Sequence, residues 1–350
     1  MSTMDATSDL PEDPSGECRP SITGRRLPRQ AKAAADLPED PSGECRPSIT
    51  GRRLPRQAKA AALSAFDALA EDYDAGFTHS ALGTLLRQAV WRRLDACFAP
   101  GATVLELNCG TGEDAVHLAR RGVRVLATDL SGAMVERAQA KVAAAGLAPL
   151  VETRRLAIEE LAAAFGEAAE EGQPRPQLSR RAGPDPQLIR RAGPGPRLGP
   201  PFDGALSNFG GLNCVGDLRE TGRALAGCLR RGATAVLCVM GPAVPWEWAW
   251  FLLRGEPRKA FRRLRRGGAT WRGMTIRYPT IGAVRRALAP AFELRRAGAL
   301  GALLPPTYVE PWAARHGGLV RRLDRWERRL ERWPPLPWLA DHYLLELTRR

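Results

Sequence analysis

A chain of 350 residues, of which 44% are hydrophobic, can bury one substantial core and a small second lobe. Its formal net charge of +14 suggests nucleic acid or an anionic membrane as a partner, but lysine occurs only at positions 32, 59, 141 and 259, so 48 of the 52 basic residues are arginine. Together with abundant alanine, glycine and proline, this bias indicates skewed coding composition and not a phosphate-binding surface.

Most of the excess positive charge lies in two segments. Residues 172–201 contain six arginines and one aspartate, and residues 254–266 contain seven basic residues and one glutamate. The seven cysteines form no C-x-x-C pair and have no metal-ligand spacing with the four histidines, which predicts reduced thiols, no metal site and a cytoplasmic protein. No apolar run approaches the length of a signal peptide core or a membrane span, so we expect neither.

The beginning of the chain is a perfect tandem repeat. Residues 9–35 recur unchanged at 36–62. Two copies are too few for a solenoid, and each copy has little apolar surface to bury. We therefore expect residues 1–62 to be disordered, with a docking or tethering tail as the alternative, and one domain over residues 63–350.

Two helices are predicted before the first strand. Ser64 is a plausible N-cap, and Phe66, Leu69 and Tyr73 recur at helical spacing, so this helix should lay one apolar face on the domain. The second helix is predicted over residues 81–97, where leucine or valine recurs at 82, 86, 90 and 94.

Residues 102–157 alternate strands and helices. Strands are predicted over 102–107, 123–130 and 150–157, and helices over 112–121, 132–145 and 158–171. Short joints between such elements favour a parallel sheet with right-handed crossovers. A proline-rich stretch at 172–201, in which Arg-Arg-Ala-Gly-Pro occurs twice, then predicts a disordered insertion.

The sheet is predicted to resume after this insertion. Strands are expected over 202–208 and 233–240, around Thr275, from Phe292 and over 343–347, with helices ending at 231 and covering 281–288. Residues 242–268 are predicted to form a helical insertion split at Gly255 and Pro257. The spacing of Leu319, Leu323, Trp326, Leu330 and Trp333 predicts one stripe of an amphipathic helix.

The most informative stretch runs from Val104 to Asp114. An aliphatic strand carries Glu106 near its end, and Gly110 and Gly112 allow a close backbone approach to a ligand before a helix begins. The start of that helix directs unpaired N–H groups toward the same place. Dinucleotide enzymes and S-adenosylmethionine-dependent methyltransferases both use this geometry, so the glycines alone do not decide between them.

From Val104 to Gly112 the chain resembles motif I of class I S-adenosylmethionine-dependent methyltransferases: a strand ending in an acid, one spacer, and a glycine turn. Residues 127–134 are similar to the second motif of that family. The resemblance covers residues 64–171 and 202–241 well and the remainder more loosely. It implies an α/β, Rossmann-like, doubly wound fold with a seven-stranded, mostly parallel sheet in the order 3-2-1-4-5-7-6.

The resemblance also implies S-adenosylmethionine as the cofactor and assigns residues to it. Glu106 would order the turn and the methionine amino group, Asp129 would accept hydrogen bonds from both ribose hydroxyls, and Tyr73 would belong to a helical lid. The full set of expected cofactor-binding residues is Tyr73, Glu106, Asn108, Cys109, Gly110, Gly112, Asp129, Leu130, Met134, Ala157, Ile158, Asn208 and Phe209.

The sequence departs from the family pattern at three places. Asn108 replaces the first glycine, and we expect it to tighten the turn or add a side-chain contact. Ala157 and Ile158 stand where the family often has an acid, so adenine would be held by backbone and apolar contacts. Asn208-Phe209-Gly210-Gly211 ends the fourth strand and is not the signature of methylases that act on the amino groups of bases.

These features predict methyl transfer to a small, lipid-like or aromatic acceptor. An RNA methyltransferase, an NAD(P)-dependent oxidoreductase and a non-catalytic cofactor-binding partner protein remain alternatives. Nucleic acid is the less favoured partner, because no appended RNA-binding module is recognisable. A general base is optional for methyl transfer, and the sequence does not choose among His79, His316 and His342.

Residues 246–266 are the expected acceptor determinant. Trp246, Trp250 and Leu253 are predicted to share one helical face beside an arginine cluster. Such a segment can line a pocket for a bulky apolar acceptor or rest on an anionic membrane surface, and a core-facing helix with a solvated basic turn is an equal alternative.

Overall fold

The computed structural model describes residues 63, 65–166 and 197–350. The tandem repeat over residues 1–62, the proposed N-cap Ser64 and most of the proline-rich insertion lie outside the described residues. The division into a tail, a domain and an insertion therefore stays a prediction.

Seven strands form one mixed sheet. They are β1 (Thr103–Leu107), β2 (Arg124–Asp129), β3 (Val151–Arg155), β4 (Phe202–Ser207), β5 (Leu229–Met240), β6 (Phe292–Leu300) and β7 (His342–Arg349). Their order across the sheet is β3-β2-β1-β4-β5-β7-β6, with β7 antiparallel to both neighbours and the first five strands parallel. The predicted fold class and strand order are confirmed.

Alternate residues of the central strands supply two cores, one on each face of the sheet. Val104 belongs to the first core and Leu105 to the second, and every residue of β1 is buried. A strand covered on both faces is typical of parallel sheets, and this explains its nearly unbroken aliphatic sequence.

Helices cover both faces. They are α1 (Ala81–Cys97), α2 (Glu113–Arg120), α3 (Gly132–Ala144), α4 (Leu161–Phe165), α5 (Leu218–Cys228), α6 (Pro245–Leu252), α7 (Pro257–Ala260), α8 (Ile281–Leu288), α9 (Glu310–Arg315) and α10 (Gly317–Leu330). Residues 65–70 are also helical, and a π-helical turn at Asp74–Thr78 leads into α1. Helices α1 to α3 contribute to the first core, and α4, α5 and α8 contribute to the second.

The structure differs from the predicted elements at three boundaries. The helix predicted to reach residue 231 ends at Cys228, because Leu229 already pairs with Phe202 in the sheet. The pairing of β4 with β5 then shifts register, and Gly232 in the shifted stretch has a φ of 77°. The strand predicted around Thr275 pairs with residues 269–271 in a separate hairpin. The helix predicted from residue 158 opens with a 3₁₀ turn at Ile158–Glu160.

Helix α10 buries its predicted stripe only in part, because Leu323 packs against the first core while other members of the stripe are exposed. Leu319 is 46% exposed, Trp326 56% and Trp333 63%. The buried side also carries Val320 and two acids, Asp324 and Glu327. Glu327 fixes this orientation, because its carboxylate accepts hydrogen bonds from the backbone N–H groups of residues 301, 303 and 304, at 2.6, 2.8 and 3.1 Å. None of the described helices has the length and apolarity needed to cross a membrane.

Candidate cofactor and acceptor site

The turn after β1 uses left-handed backbone. Asn108, Gly110 and Gly112 have φ values of 49°, 54° and 80°, a region that residues with a Cβ rarely adopt. A Cβ on Gly112 would lie 2.8 Å from the Cβ of Ala138 in α3, so only glycine fits at this position without a clash. Helix α2 begins directly after the turn, and its unpaired N–H groups therefore lie at the carboxyl end of β1.

Asp129, at the end of β2, contacts this turn. Its Oδ2 accepts a hydrogen bond from the Gly110 N–H and its Oδ1 accepts one from the Ser131 N–H, each at 2.9 Å. Burial raises the pKa of Asp129, and these backbone hydrogen bonds oppose the rise. Because a carboxylate oxygen has two lone pairs, each oxygen retains one for a hydroxyl group of a ligand.

Glu106 is a buried carboxyl group that lacks a full set of partners. It is 1% exposed, and its Oε2 has no hydrogen-bond partner. Burial raises the pKa of Glu106 well above its ordinary range, the nearby Asp114 adds to the rise, and Arg87 opposes it. An unpaired buried oxygen suits a cationic group, so the residues present fit the ammonium end of S-adenosylmethionine.

Asp114, in the first turn of α2, joins three elements at this end of the sheet. Its Oδ1 accepts hydrogen bonds from the Arg87 guanidinium at 2.9 Å and the Trp91 indole at 2.7 Å. Its Oδ2 accepts one from the Asn208 side-chain amide at 2.8 Å. Sequence reasoning did not select Asp114. In the sequence, Asp114 is distinguished only as an acid in the first turn of a helix. Its partners Arg87 and Trp91 stand four residues apart on the preceding helix.

Asn108 links the glycine turn to β4. Its Nδ2 donates to the Asn208 carbonyl at 2.6 Å, and the Ser207 hydroxyl donates to its Oδ1 at 2.6 Å. The side chains of Asn108 and Asn208, both expected to bind cofactor, are therefore engaged with other protein groups. These two side chains therefore have little hydrogen-bonding capacity left for a ligand, and their main contribution is to fix the backbone around the site.

Aromatic residues from the segment before α1 cover the turn. The Tyr73 ring lies 5.7 Å from the Phe77 ring, and the Phe77 ring lies 4.9 Å from the Phe209 ring. Tyr73 is also the nearest side chain to Gly110, 3.9 Å from where a Cβ would stand. Burial raises the pKa of the Tyr73 hydroxyl, so it remains a neutral hydrogen-bond donor.

A polar cluster fastens this covering segment to the turn. The Thr111 hydroxyl donates to Asp74 at 2.6 Å, and the Lys141 ammonium lies 2.8 Å from Asp74 and 2.6 Å from Glu113. Burial raises the pKa of Asp74, but the hydrogen bonds from Lys141 and Thr111 outweigh burial and lower it. The cluster therefore holds a charged Asp74 against the glycine turn.

The expected adenine side is apolar. Met134 is 3% exposed. Leu130 packs against the small cluster of Ala65 and Met274, as does Trp271, a hairpin residue that was not among the predicted site residues. The remaining predicted residues lie beside the same strand ends. Cys109 is buried, and its N–H donates to the Thr128 carbonyl. After β3, Ala157 is buried and Ile158 is partly buried. The structure thus gathers the predicted set around the ends of β1 to β4.

His342 stands apart from the other two histidines considered as bases. Its partner in β5 is Met240, so it lies at the crevice edge, and its ring is 5.7 Å from that of Phe209. Its Nδ1 is 3.0 Å from the Asp341 Oδ2, and the Arg263 guanidinium is 2.6 Å from Asp341. His79 and His316 are exposed.

The segment 246–266 is only partly as predicted. Leu253 lies beyond the end of α6 and is 87% exposed, whereas the Trp246 indole donates to the Leu303 carbonyl at 3.1 Å. Arg262 and Arg263 are buried against Glu247, at 2.9 and 2.8 Å. The expectation of a fully solvated basic turn is therefore wrong for these two arginines, because Glu247 draws them inward.

Comparisons with known proteins agree with this architecture. Residues 104–169 match a family model described as a methyltransferase domain. The tRNA 5-carboxymethoxyuridine methyltransferases of Escherichia coli K12 and O157:H7 are each 29% identical over 101 residues, which is 28% of this chain and 39% of the relative. The chain thus spans well under half the length of these curated relatives.

Solved structures with low sequence identity resemble the fold. A putative sarcosine dimethylglycine methyltransferase from Galdieria sulphuraria has a TM-score of 0.43 at 14% identity, covering 75% of this chain and 85% of that one. Geranyl diphosphate C-methyltransferase from Streptomyces coelicolor A3(2) has 0.44 at 14%, covering 75% and 79%. The [4+2]-cyclase SpnF has 0.48 at 14%, covering 85% and 98%.

The family match decides between the two cofactors that the glycine turn left open. It begins at Val104, includes Glu106, the turn and Asp129, and ends at residue 169. The observed strand order, with its antiparallel β7, extends the same pattern over the rest of the sheet. Residues 104–169 therefore resemble a methyltransferase domain, and the strand order of the whole sheet fits the fold expected from that resemblance.

Proposed function

We propose that this protein transfers the methyl group of S-adenosylmethionine to a small, lipid-like or aromatic acceptor. The observation that carries the proposal is the pair of carboxylates, Glu106 and Asp129, on consecutive strands beside one glycine turn. Glu106 has an unpaired buried oxygen for the methionine ammonium. Asp129 has free lone pairs for the ribose hydroxyls.

When bound, S-adenosylmethionine supplies an electrophilic methyl group on a sulfonium. The protein's own contribution is to align the acceptor and to exclude water. The rings of Tyr73, Phe77 and Phe209 form an apolar cover for this purpose, and the Asp74 cluster holds the cover closed. An uncharged aromatic or aliphatic acceptor suits such a lining better than a polyanion does.

His342 is the residue that we propose to accept a proton from the acceptor. The Asp341 carboxylate lies 3.0 Å from Nδ1 and places a negative charge beside the ring, where it would stabilise the imidazolium formed once His342 has accepted a proton. Arg263 keeps Asp341 charged: burial raises the pKa of Asp341, but Arg263 and His342 outweigh burial and lower it. This role applies to an acceptor hydroxyl or acidic carbon that must lose a proton.

Calorimetry with S-adenosylhomocysteine tests the cofactor assignment. Asp129→Asn should bind about 10- to 100-fold more weakly, since charge-assisted hydrogen bonds contribute roughly 1.5–3 kcal/mol. Asp95→Asn is the matched control, because Asp95 pairs with His117 and Arg121 and takes no part in the glycine turn. Equal affinity for the native chain and Asp129→Asn would refute the assignment.

Transfer of tritiated methyl groups into fractionated cell extract tests the acceptor class. Label should enter the small-molecule or lipid fraction, and His342→Gln should lower the rate while leaving S-adenosylhomocysteine affinity unchanged. His316→Gln is the control, since His316 is exposed and stacks on Trp312. Cofactor binding without any labelled product would support a non-catalytic partner protein instead.

RNA is the second candidate acceptor, because the two curated relatives are tRNA methyltransferases. Label confined to the RNA fraction, together with RNA binding that weakens steeply as salt rises, would replace the small acceptor with RNA.

A further inference from the structure

Helix α10 and the turn that follows it present large apolar side chains to solvent. Leu319, Trp326, Trp333 and Trp338 are between 46% and 63% exposed. Leu319 and Trp326 are seven residues apart within α10, so they lie on one side of the helix, and Trp333 and Trp338 follow beyond its end. Three exposed tryptophans so close in sequence are unusual for a surface that meets only water.

The inward side of α10 shows that this exposure is built into the helix. Asp324 and Glu327 are each 5% exposed, and Glu327 satisfies three backbone N–H groups. Glu331, just beyond the helix, pairs with Arg93 of α1. Turning the tryptophans inward would break all of these contacts, so the acids hold the apolar side outward.

The same segment carries uncompensated positive charge. Six arginines at 321, 322, 325, 328, 329 and 332 accompany the three acids. Only Arg328 has a carboxylate partner, Asp324 at 2.5 Å, within the described part of the chain. Because the acids are turned inward, the outward side is both apolar and cationic.

This combination matches one kind of partner. Helices that lie in a membrane interface place tryptophan and leucine at the acyl boundary and arginine among the lipid phosphates. RNA would pair with the arginines but would leave Leu319 and the tryptophan edges without an apolar partner. We propose that residues 317–338 bind the surface of a bilayer that contains anionic phospholipid.

Sedimentation of the full chain with vesicles tests this proposal. Vesicles of equal parts phosphatidylglycerol and phosphatidylcholine should bind it, with a blue shift of tryptophan emission, and phosphatidylcholine alone should bind much less. Trp326→Ser with Trp333→Ser should weaken binding about tenfold or more through lost apolar burial. Arg321→Gln with Arg322→Gln and Arg325→Gln should weaken it on the order of a hundredfold.

Arg285→Gln with Arg286→Gln is the matched control, because these exposed arginines lie on α8, which packs on the other face of the sheet from α10. This double variant should bind vesicles as the native chain does. The proposal would be overturned if the native protein did not bind the mixed vesicles. It would also be overturned if the tryptophan and arginine variants bound these vesicles as tightly as the native protein does. If RNA displaces the vesicles, the surface binds RNA and the proposal is overturned. If the native chain is a dimer and the tryptophan variant is not, the surface binds a second copy of the chain, and the proposal is again overturned.

Discussion

Helices α1 and α10 both carry an apolar stripe, but the two stripes are exposed to different degrees. In α1, Leu82, Leu86, Val90 and Leu94 are at most 2% exposed, whereas in α10 Leu319 and Trp326 are about half exposed. The difference lies in the residues between the apolar ones. Helix α1 places its leucines over β-strand side chains of the first core, while α10 is oriented by buried acids. Periodicity shows which residues share a face, and the partners of the polar residues decide where that face points.

The largest expected effect is on the buried stripe of α1. Leu94→Ala should lower the free energy of unfolding by about 2–5 kcal/mol, because Leu94 is fully buried and its loss leaves a cavity. Urea unfolding followed by circular dichroism measures the change. A loss below about 1 kcal/mol would mean that the α1 stripe is no better packed than that of α10.

The next effect concerns the acid that orients α10. Glu327→Ala should cost about 2–3 kcal/mol of unfolding free energy, because it leaves buried N–H groups of residues 301, 303 and 304 without an acceptor. Glu327→Gln retains one carbonyl acceptor and should cost less. If thermal and urea unfolding show no difference between either variant and the native chain, Glu327 does not set the orientation.

A pH dependence of stability is expected from Glu106, the buried acid with an unpaired oxygen. Burial raises the pKa of Glu106, so the folded state binds more protons there than the unfolded state, and stability falls as pH rises above the ordinary carboxyl range. Glu106→Gln should make the decline over the pH range above the ordinary carboxyl pKa shallower in the ligand-free protein. Urea titrations across that range measure the slope, and an unchanged slope would contradict the assignment.

The smallest effect is expected on the exposed stripe. Trp326→Ser should change the free energy of unfolding by no more than about 0.5 kcal/mol, because the side chain is 56% exposed and packs on no core. A loss comparable to that of Leu94→Ala would show that α10 buries its tryptophans in solution. That result would remove the contrast between the two helices.

The sheet and its crevice were accessible to sequence reasoning because their signals are local. Glu106 and Asp129 lie near the ends of aliphatic strands and the glycine turn follows the first of them, and short joints between strands and helices leave few topologies. The predicted order of a seven-stranded, mostly parallel sheet is the observed one.

Features fixed by distant contacts were not accessible in this way. Asp114 gains its importance from Arg87 and Asn208, which lie 27 and 94 residues away. Glu247 pairs with Arg262 and Arg263 and buries them, so these two residues depart from the alternative of a solvated basic turn. His342 was indistinguishable from the other histidines until β7 placed it beside Phe209.

Asn108 also constrains a residue that is distant in sequence. A Cβ on Gly211 would lie 2.2 Å from the Asn108 Cγ, so the two positions compete for one volume. Gly211→Ala should therefore be poorly tolerated in this chain, and Asn108→Gly should relieve it, giving a non-additive pair in a double-mutant cycle. In related chains the two positions should covary, with a side chain at one accompanying glycine at the other.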